Sequence, residues 1–206
     1  DRVGIVGSNG VGKTTVIKLL LGELTPDQGD VLLGTQLEIA YSDQLRGELD
    51  PEKDLIDNIC GGQQFIEING QRRHAISYLG DFLFGPDRIR TPVKALSGGE
   101  INRAILARLF TRPANLLILD EPTNDLDVDT LRALEAGLEA FPGCAVIISH
   151  DRWFLDRVAT HVLAFEGNSH VRWFEGNFSD YEEIRKKELG GESIPTRVKY
   201  KPLSRD

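Results

Sequence analysis

Residues 7–14 read Gly7-Ser8-Asn9-Gly10-Val11-Gly12-Lys13-Thr14, a match to G-x-x-x-x-G-K-[ST] that leaves few ways to fold around it. Glycines at these spacings let successive backbone N–H groups turn inward around an anion, and a helix opening at Lys13 adds positive potential. The flanks suit that geometry. The apolar run Val3-Gly4-Ile5-Val6 precedes the loop as a strand. Residues 13–21 follow as a helix with Val16, Leu19 and Leu20 on one face and Gly22 at its end. In such a loop Lys13 reaches the β- and γ-phosphates of a nucleotide, the Thr14 hydroxyl ligates Mg²⁺, and Thr15 completes the phosphate cradle. A Gly-rich turn without a ligand is the plainer alternative, and the strand–loop–helix setting argues against it.

Two further apolar runs, Leu116-Leu117-Ile118-Leu119 and Ala145-Val146-Ile147-Ile148, are continuous and not alternating, the pattern of strands buried on both faces of a parallel sheet. The first runs into Asp120-Glu121. Carboxylates at the C-terminal end of a parallel strand stand where α/β sheets bind ligands. By itself such a pair equally suits a solvated strand exit. Beside a phosphate loop it suits Asp120 as a Mg²⁺ ligand and Glu121 as the group that orients or deprotonates water. The other run ends in Ser149-His150-Asp151, where His150 can meet a γ-phosphate, although a lone histidine is more often a surface or core residue. Leu131, Leu134 and Leu138 predict a helix after Asp127, and Ser179-Asp180-Tyr181-Glu182 predicts one with a capping box, running to about Leu189. Between Ser42 and Lys94, Gly61-Gly62, Asn69-Gly70 and Gly85-Pro86 with little strand periodicity predict a mostly helical insertion, with one helix near residues 74–83.

The chain has 206 residues, enough for one domain, with 40% hydrophobic and 27% charged residues, which excludes disorder as its general state. No apolar run nears the ~20 residues of a membrane span, the first residues are no signal peptide, and Cys60 and Cys144 form no metal or redox spacing. These features predict a cytoplasmic protein. A net charge of −8 disfavours a surface that coats nucleic acid throughout. Basic clusters at Arg185-Lys186-Lys187 and among Arg197, Lys199, Lys201 and Arg205 fit either solvated charge or a local RNA contact.

Leu96-Ser97-Gly98-Gly99-Glu100 precedes a helical stretch and makes a second anion-binding nest, though alone it reads equally as a helix cap. Together, the phosphate loop, this pentapeptide and Asp120-Glu121 resemble the ATP-binding cassette (ABC) superfamily over nearly the whole chain. Leu119-Asp120-Glu121-Pro122-Thr123-Asn124-Asp125-Leu126-Asp127, Ser149-His150-Asp151-Arg152 and Phe174-Glu175-Gly176-Asn177-Phe178-Ser179-Asp180-Tyr181 narrow the similarity to the ABC-F subfamily. The first and last thirds are similar to one branch of that subfamily, and the middle stretch to another.

The resemblance implies an α/β P-loop NTPase fold: a single cassette over residues 1–192 with a mainly parallel sheet, a helical subdomain at about 45–112, and a basic tail at 193–206. It implies ATP and Mg²⁺ as cofactors, Gln44 as a glutamine near Mg²⁺ and the attacking water, residues 124–127 as the D-loop, and His150 as the switch histidine. It implies a second cassette as partner, stacked head to tail, so that Ser97, Gly98, Gly99 and Glu100 close a site on the other cassette. It further implies contact with the ribosome, its rRNA and tRNA. Two departures stand out. Antiparallel strands that family members carry ahead of the phosphate loop, with an aromatic that stacks on adenine, are not found before Asp1, which predicts a truncated cassette. Ile101 also stands where members have a basic or polar residue. Other readings are the ATPase subunit of a membrane transporter, or a truncated cassette that binds ATP without turnover.

Overall fold

The computed structural model describes residues 1–68, 70–124, 126–167 and 169–188. In chain order the elements are β1 (Arg2–Gly7), α1 (Lys13–Leu20), β2 (Ile39–Tyr41), α2 (Ser42–Gly47), α3 (Leu55–Cys60), β3 (Phe65–Ile68), β4 (Gln71–His74), α4 (Ala75–Asp81) and α5 (Pro86–Ile89). After a 3-10 turn (Val93–Ala95) come α6 (Gly98–Thr111), β5 (Leu116–Asp120), α7 (Val128–Ala140), β6 (Cys144–Ile148), α8 (Arg152–Val158), β7 (His161–Gly167), β8 (His170–Glu175) and α9 (Phe178–Glu188).

Six strands form one sheet in the order β2-β5-β6-β1-β7-β8. All its pairings are parallel except β7–β8. The three apolar runs expected to pair are its centre, with Leu119 opposite Ile147 and Ile5 opposite Ile148. Because successive side chains point to opposite faces, these strands feed two cores. Leu117, Leu119, Ala145 and Ile147 enter the main one beneath α6 to α9. Ile5, Ile118, Val146 and Ile148 meet Ile17 of α1 in a smaller one. The face of α1 thus differs from the expectation: Ile17 is its buried apolar residue, and Val16 only borders the core. Arg2 ties the first strand to the far end of α7, donating to the carbonyls of Leu138, Phe141 and Gly143 at 2.6–3.0 Å. It satisfies carbonyls that a helix end leaves orphaned.

The segment between Ser42 and Lys94 is not as uniformly helical as its composition predicts. It holds α2, α3, α4 and α5, but β3 and β4 pair antiparallel as a hairpin, Phe65 opposite His74 and Ile68 opposite Gln71. The connecting pair is Asn69-Gly70, the dipeptide that two-residue hairpin turns favour; Asn69 lies outside the described residues. The helix predicted at 74–83 is α4, shorter at both ends: His74 caps it through Ile76 N–H, and Leu83 adopts φ 63. Buried Tyr78 then donates to the Ala107 carbonyl at 2.5 Å and pins this segment to α6.

The last helix also begins differently. α9 opens at Phe178, so Ser179 is inside it. Asn177 Oδ1 accepts from Asp180 N–H at 2.9 Å, and Ser179 N–H donates to Asp156 Oδ1 instead of forming a capping box. Asn177 takes over because an amide oxygen three residues ahead of a free N–H caps as well as a hydroxyl. The predicted end at Leu189 and the basic tail at 193–206 lie outside the described residues. Among the described residues no helix is long and apolar enough to cross a membrane.

Candidate nucleotide site

β1 delivers the chain to Gly7, whose φ is 153 and where an added Cβ would lie 2.7 Å from the Phe165 Cβ. Gly12, at φ 107, is the N-cap of α1, and no side chain caps that helix end. Both positions suit glycine, which alone tolerates them without cost. Lys13 is only 8% exposed, and its ammonium donates to the carbonyls of Gly7 and Ser8 at 2.8 and 2.9 Å. The loop therefore carries its cation inside its own curve.

The parallel sheet carries the other groups to the same place. A recess of about 400 Å³ is lined by Asn9, Gly10, Gly12, Lys13, Thr14 and Thr15 from the loop, and by Asp120, Glu121, Ile148 and His150 from the ends of β5 and β6. Glu121 sits at φ 47, a left-handed conformation that costs a residue with a Cβ roughly 1–2 kcal/mol. Its N–H donates to the Ile148 carbonyl at 2.8 Å, which holds the turn. The turn brings Glu121 Oε1 to 3.3 Å from His150 Nε2, and Glu121 Oε2 accepts from the His150 backbone N–H at 3.3 Å. Asn9 Oδ1 meets the same Nε2 at 2.9 Å. Thr123 Oγ1 and Ser149 Oγ, 3.2 Å apart, tie the loop after β5 to the loop after β6.

Negative charge is concentrated at the strand ends. Burial, then the carboxylates of Glu121 and Asp43, push the Asp120 carboxyl above its ordinary value, with Lys13 opposing them. Tyr41 feels the same field: burial first, then Asp120, Asp43 and Glu23, push its phenol up to about 12. Crowded carboxylates beside one buried lysine suit a hard divalent cation. Among the described residues no cluster of three or more His, Cys, Asp or Glu side chains could hold a metal by itself. That donor set fits Mg²⁺, which binds through one or two protein oxygens together with water and phosphate. Asp120 and the Thr14 hydroxyl are the oxygens in place.

The remaining predicted residues lie elsewhere. Gly7, Ser8 and Val11 line another cleft with Arg152 and Arg185, which His150 also borders. Gln44 is exposed on α2 and lines neither recess that contains Asp120; its neighbours Ser42, Asp43 and Arg46 line the second, with Asn102 of α6. Ser97, Gly98, Gly99 and Glu100 begin α6 as a complete capping box, and none of them lines the recess. Glu100 is engaged by Arg88 at 2.6–2.8 Å; that bond and those from Ser97 hold its carboxyl down at about 2. Ile101 packs against the main core. Asp125 of the D-loop stretch lies outside the described residues. Sequence reasoning missed Asp43 and Arg88. Asp43 adjoins Gln44 and carried a charge that could have drawn notice, whereas nothing local marks Arg88 as the partner of a residue twelve positions on.

The sequence model of the family described as "ABC transporter" matches residues 1–124. ATP-binding protein Uup of Haemophilus influenzae is 53% identical over 98% of the chain, which spans 31% of that protein. The energy-dependent translational throttle protein EttA of Escherichia coli K12 is 46% identical over 98% of the chain, which spans 37% of it. The chain thus spans about a third of the length of the curated relatives it matches. Among solved structures, archaeal ribosome recycling factor aABCE1, in complex with ribosomal stalk protein aP1, is similar with a TM-score of 0.69 and 27% identity, covering 93% of this chain and 37% of that one.

Proposed function

The chain belongs to the ABC transporter family as an ATP-binding cassette ATPase of the ABC-F subfamily, and from that premise we propose that it binds and hydrolyses MgATP as one half of a two-cassette engine acting on the ribosome. The observation that carries the ATPase reading is the meeting of Lys13, Thr14, Asp120, Glu121 and His150 in a single recess. Lys13 and the loop N–H groups hold the triphosphate, Thr14 and Asp120 hold Mg²⁺, and His150 donates to the γ-phosphate. Glu121, aimed by its strained turn, orients the attacking water and takes its proton. When bound there, Mg²⁺ would neutralise negative charge on the phosphates. Gln44 is exposed and outside the recess, so its proposed place near Mg²⁺ and the water requires α2 to move.

Ser97 to Glu100 stand apart from the recess, which supports their use by a nucleotide held on a second cassette. ATP then joins two cassettes, and loss of the γ-phosphate releases them. The rate per chain is expected to rise with protein concentration; a brisk rate independent of concentration overturns the two-cassette requirement.

The ribosome, its rRNA and tRNA are proposed as the target, and the cytoplasm as the place of action, from the relative named a translational throttle and the structural neighbour named a ribosome recycling factor. On α9, Arg185 and Lys186 face Glu166 and Glu182 at 4.0 and 3.7 Å, so Lys187 is the cation of that cluster best placed for RNA. The other basic residues proposed for it lie in the tail. Cosedimentation of the full-length protein with ribosomes, as Glu121→Gln with ATP, tests the target. An ATP-independent result at moderate salt counts against it.

A further inference from the structure

His150 Nε2 faces two oxygen atoms, Asn9 Oδ1 at 2.9 Å and Glu121 Oε1 at 3.3 Å. An ionised carboxylate only accepts hydrogen bonds. A bare Nε2 would therefore meet Glu121 lone pair against lone pair, and the contact is attractive only when Nε2 carries the hydrogen. Once Nε2 is the donor, Asn9 must present its carbonyl oxygen and not its amide. Glu121 thus decides the tautomer of His150, and through it the orientation of Asn9. The shorter contact makes Asn9 the main acceptor. One residue from the phosphate loop, one following β5 and one following β6 share a single N–H.

We infer that Asn9 is a positioning residue that takes the His150 Nε2–H and keeps it from closing fully on the Glu121 carboxylate. An undivided hydrogen bond from His150 would be charge-assisted and strong. It would occupy the lone pair with which Glu121 orients water. Asn9 divides that bond and so weakens its hold on Glu121. The role rests on the ATPase reading of the site, but the contact it depends on can be read without turnover.

Ring ¹⁵N and ¹H spectra of the chain at a pH where histidine is neutral, with His150 assigned by its loss in His150→Gln, provide that reading. The expected result is protonated Nε2 and bare Nδ1. In Asn9→Ala the Nε2 proton should move downfield as the bond to Glu121 shortens. In Asn9→Ala combined with Glu121→Gln the tautomers should mix as in free imidazole. A bare Nε2 in the unaltered chain, or ring signals unmoved in Asn9→Ala, overturns the proposal.

Steady-state kinetics add a second arm. Asn9→Ala should lower kcat by about 2- to 10-fold, the change that one ordinary hydrogen bond converts to, with KM for ATP unchanged. Asn9→Asp keeps the acceptor, so kcat should recover, while its added charge raises KM. A rise in KM in Asn9→Ala with kcat intact would make Asn9 a phosphate contact only and overturn the positioning role. If neither protein turns over, the spectra decide alone, and the failure then belongs to the ATPase reading.

Discussion

Two helix N-termini in this molecule are built from the same small residues and finished in opposite ways. At α1 the N-cap is Gly12, no side chain caps the end, and a buried lysine sits inside the loop that leads to it. At α6 the N-cap is Ser97, its hydroxyl accepts from Glu100 N–H, Glu100 answers to the Ser97 N–H, and Arg88 clamps the carboxylate. An open helix end with a lysine is electrostatically short of an anion. A closed capping box already has its anion in Glu100. The difference teaches that a glycine-rich start to a helix does not by itself announce a phosphate site: whether its own side chains already satisfy the N–H groups decides. It also sets the two ends apart: one is open beside a buried lysine, the other is closed by its own carboxylate.

Four outcomes would break or sharpen that contrast. The largest is expected of Glu121→Gln, which keeps shape and removes the carboxylate proposed as the base beside the open end. Hydrolysis should fall by about 10²- to 10⁴-fold while ATP affinity is retained, as measured by single-turnover kinetics and calorimetry. Lys13→Ala comes next. Loss of a charged hydrogen bond of about 1.5–3 kcal/mol should weaken ATP binding roughly 10- to 100-fold. An affinity within twofold of the original would mean that the open end binds through its N–H groups alone.

Ser97→Ala should act on the closed end in the other currency, stability. Losing the cap should cost about 1 kcal/mol in urea unfolding, with the chain's own ATP affinity unchanged. A parallel loss of ATP affinity would mean that the two ends serve one nucleotide. The smallest effect concerns pH. Arg88 and Ser97 lower the Glu100 carboxyl from an ordinary 4.5 to about 2, so the ionised, clamped form is favoured by folding. Its contribution is present above about 4.5 and lost as pH falls towards 2. The difference in melting temperature between the unaltered chain and Glu100→Gln should therefore narrow over that window. A gap that persists at its acidic end would refute the clamp.

Much of this was legible in order along the chain. The phosphate loop is a local event, since Gly7 and Gly12 accept backbone angles that other residues resist, and the apolar run before them needs no distant partner to be recognised. The central strands were legible because both faces are buried, which leaves an unbroken apolar run. Edge elements were harder to see. β3 has two half-buried and two exposed residues, and four residues of weak alternation do not outweigh the Gly-rich surroundings that suggest a loop. α9 could be placed but not its cap, because Asn177 and Ser179 are both good caps and the docking of Ser179 N–H on Asp156 chose between them.

The sequence by itself marked the parts proposed to handle nucleotide: the loop, the acidic strand end, the histidine after the third run and the Ser-Gly-Gly pentapeptide. Each is a short pattern whose chemistry follows from its own residues. The tertiary structure alone decided which parts meet. His150 and Asn9 are 141 residues apart and Glu121 and His150 29 apart, yet all three share one hydrogen, because parallel pairing of β1, β6 and β5 aligns their ends. Asp43 lines a recess with Asp120 and its charge bears on that carboxyl, whereas Gln44, one residue on, lines neither recess. Local patterns carry no record of such convergence, since it arises from strand register and helix packing, each fixed by contacts far along the chain.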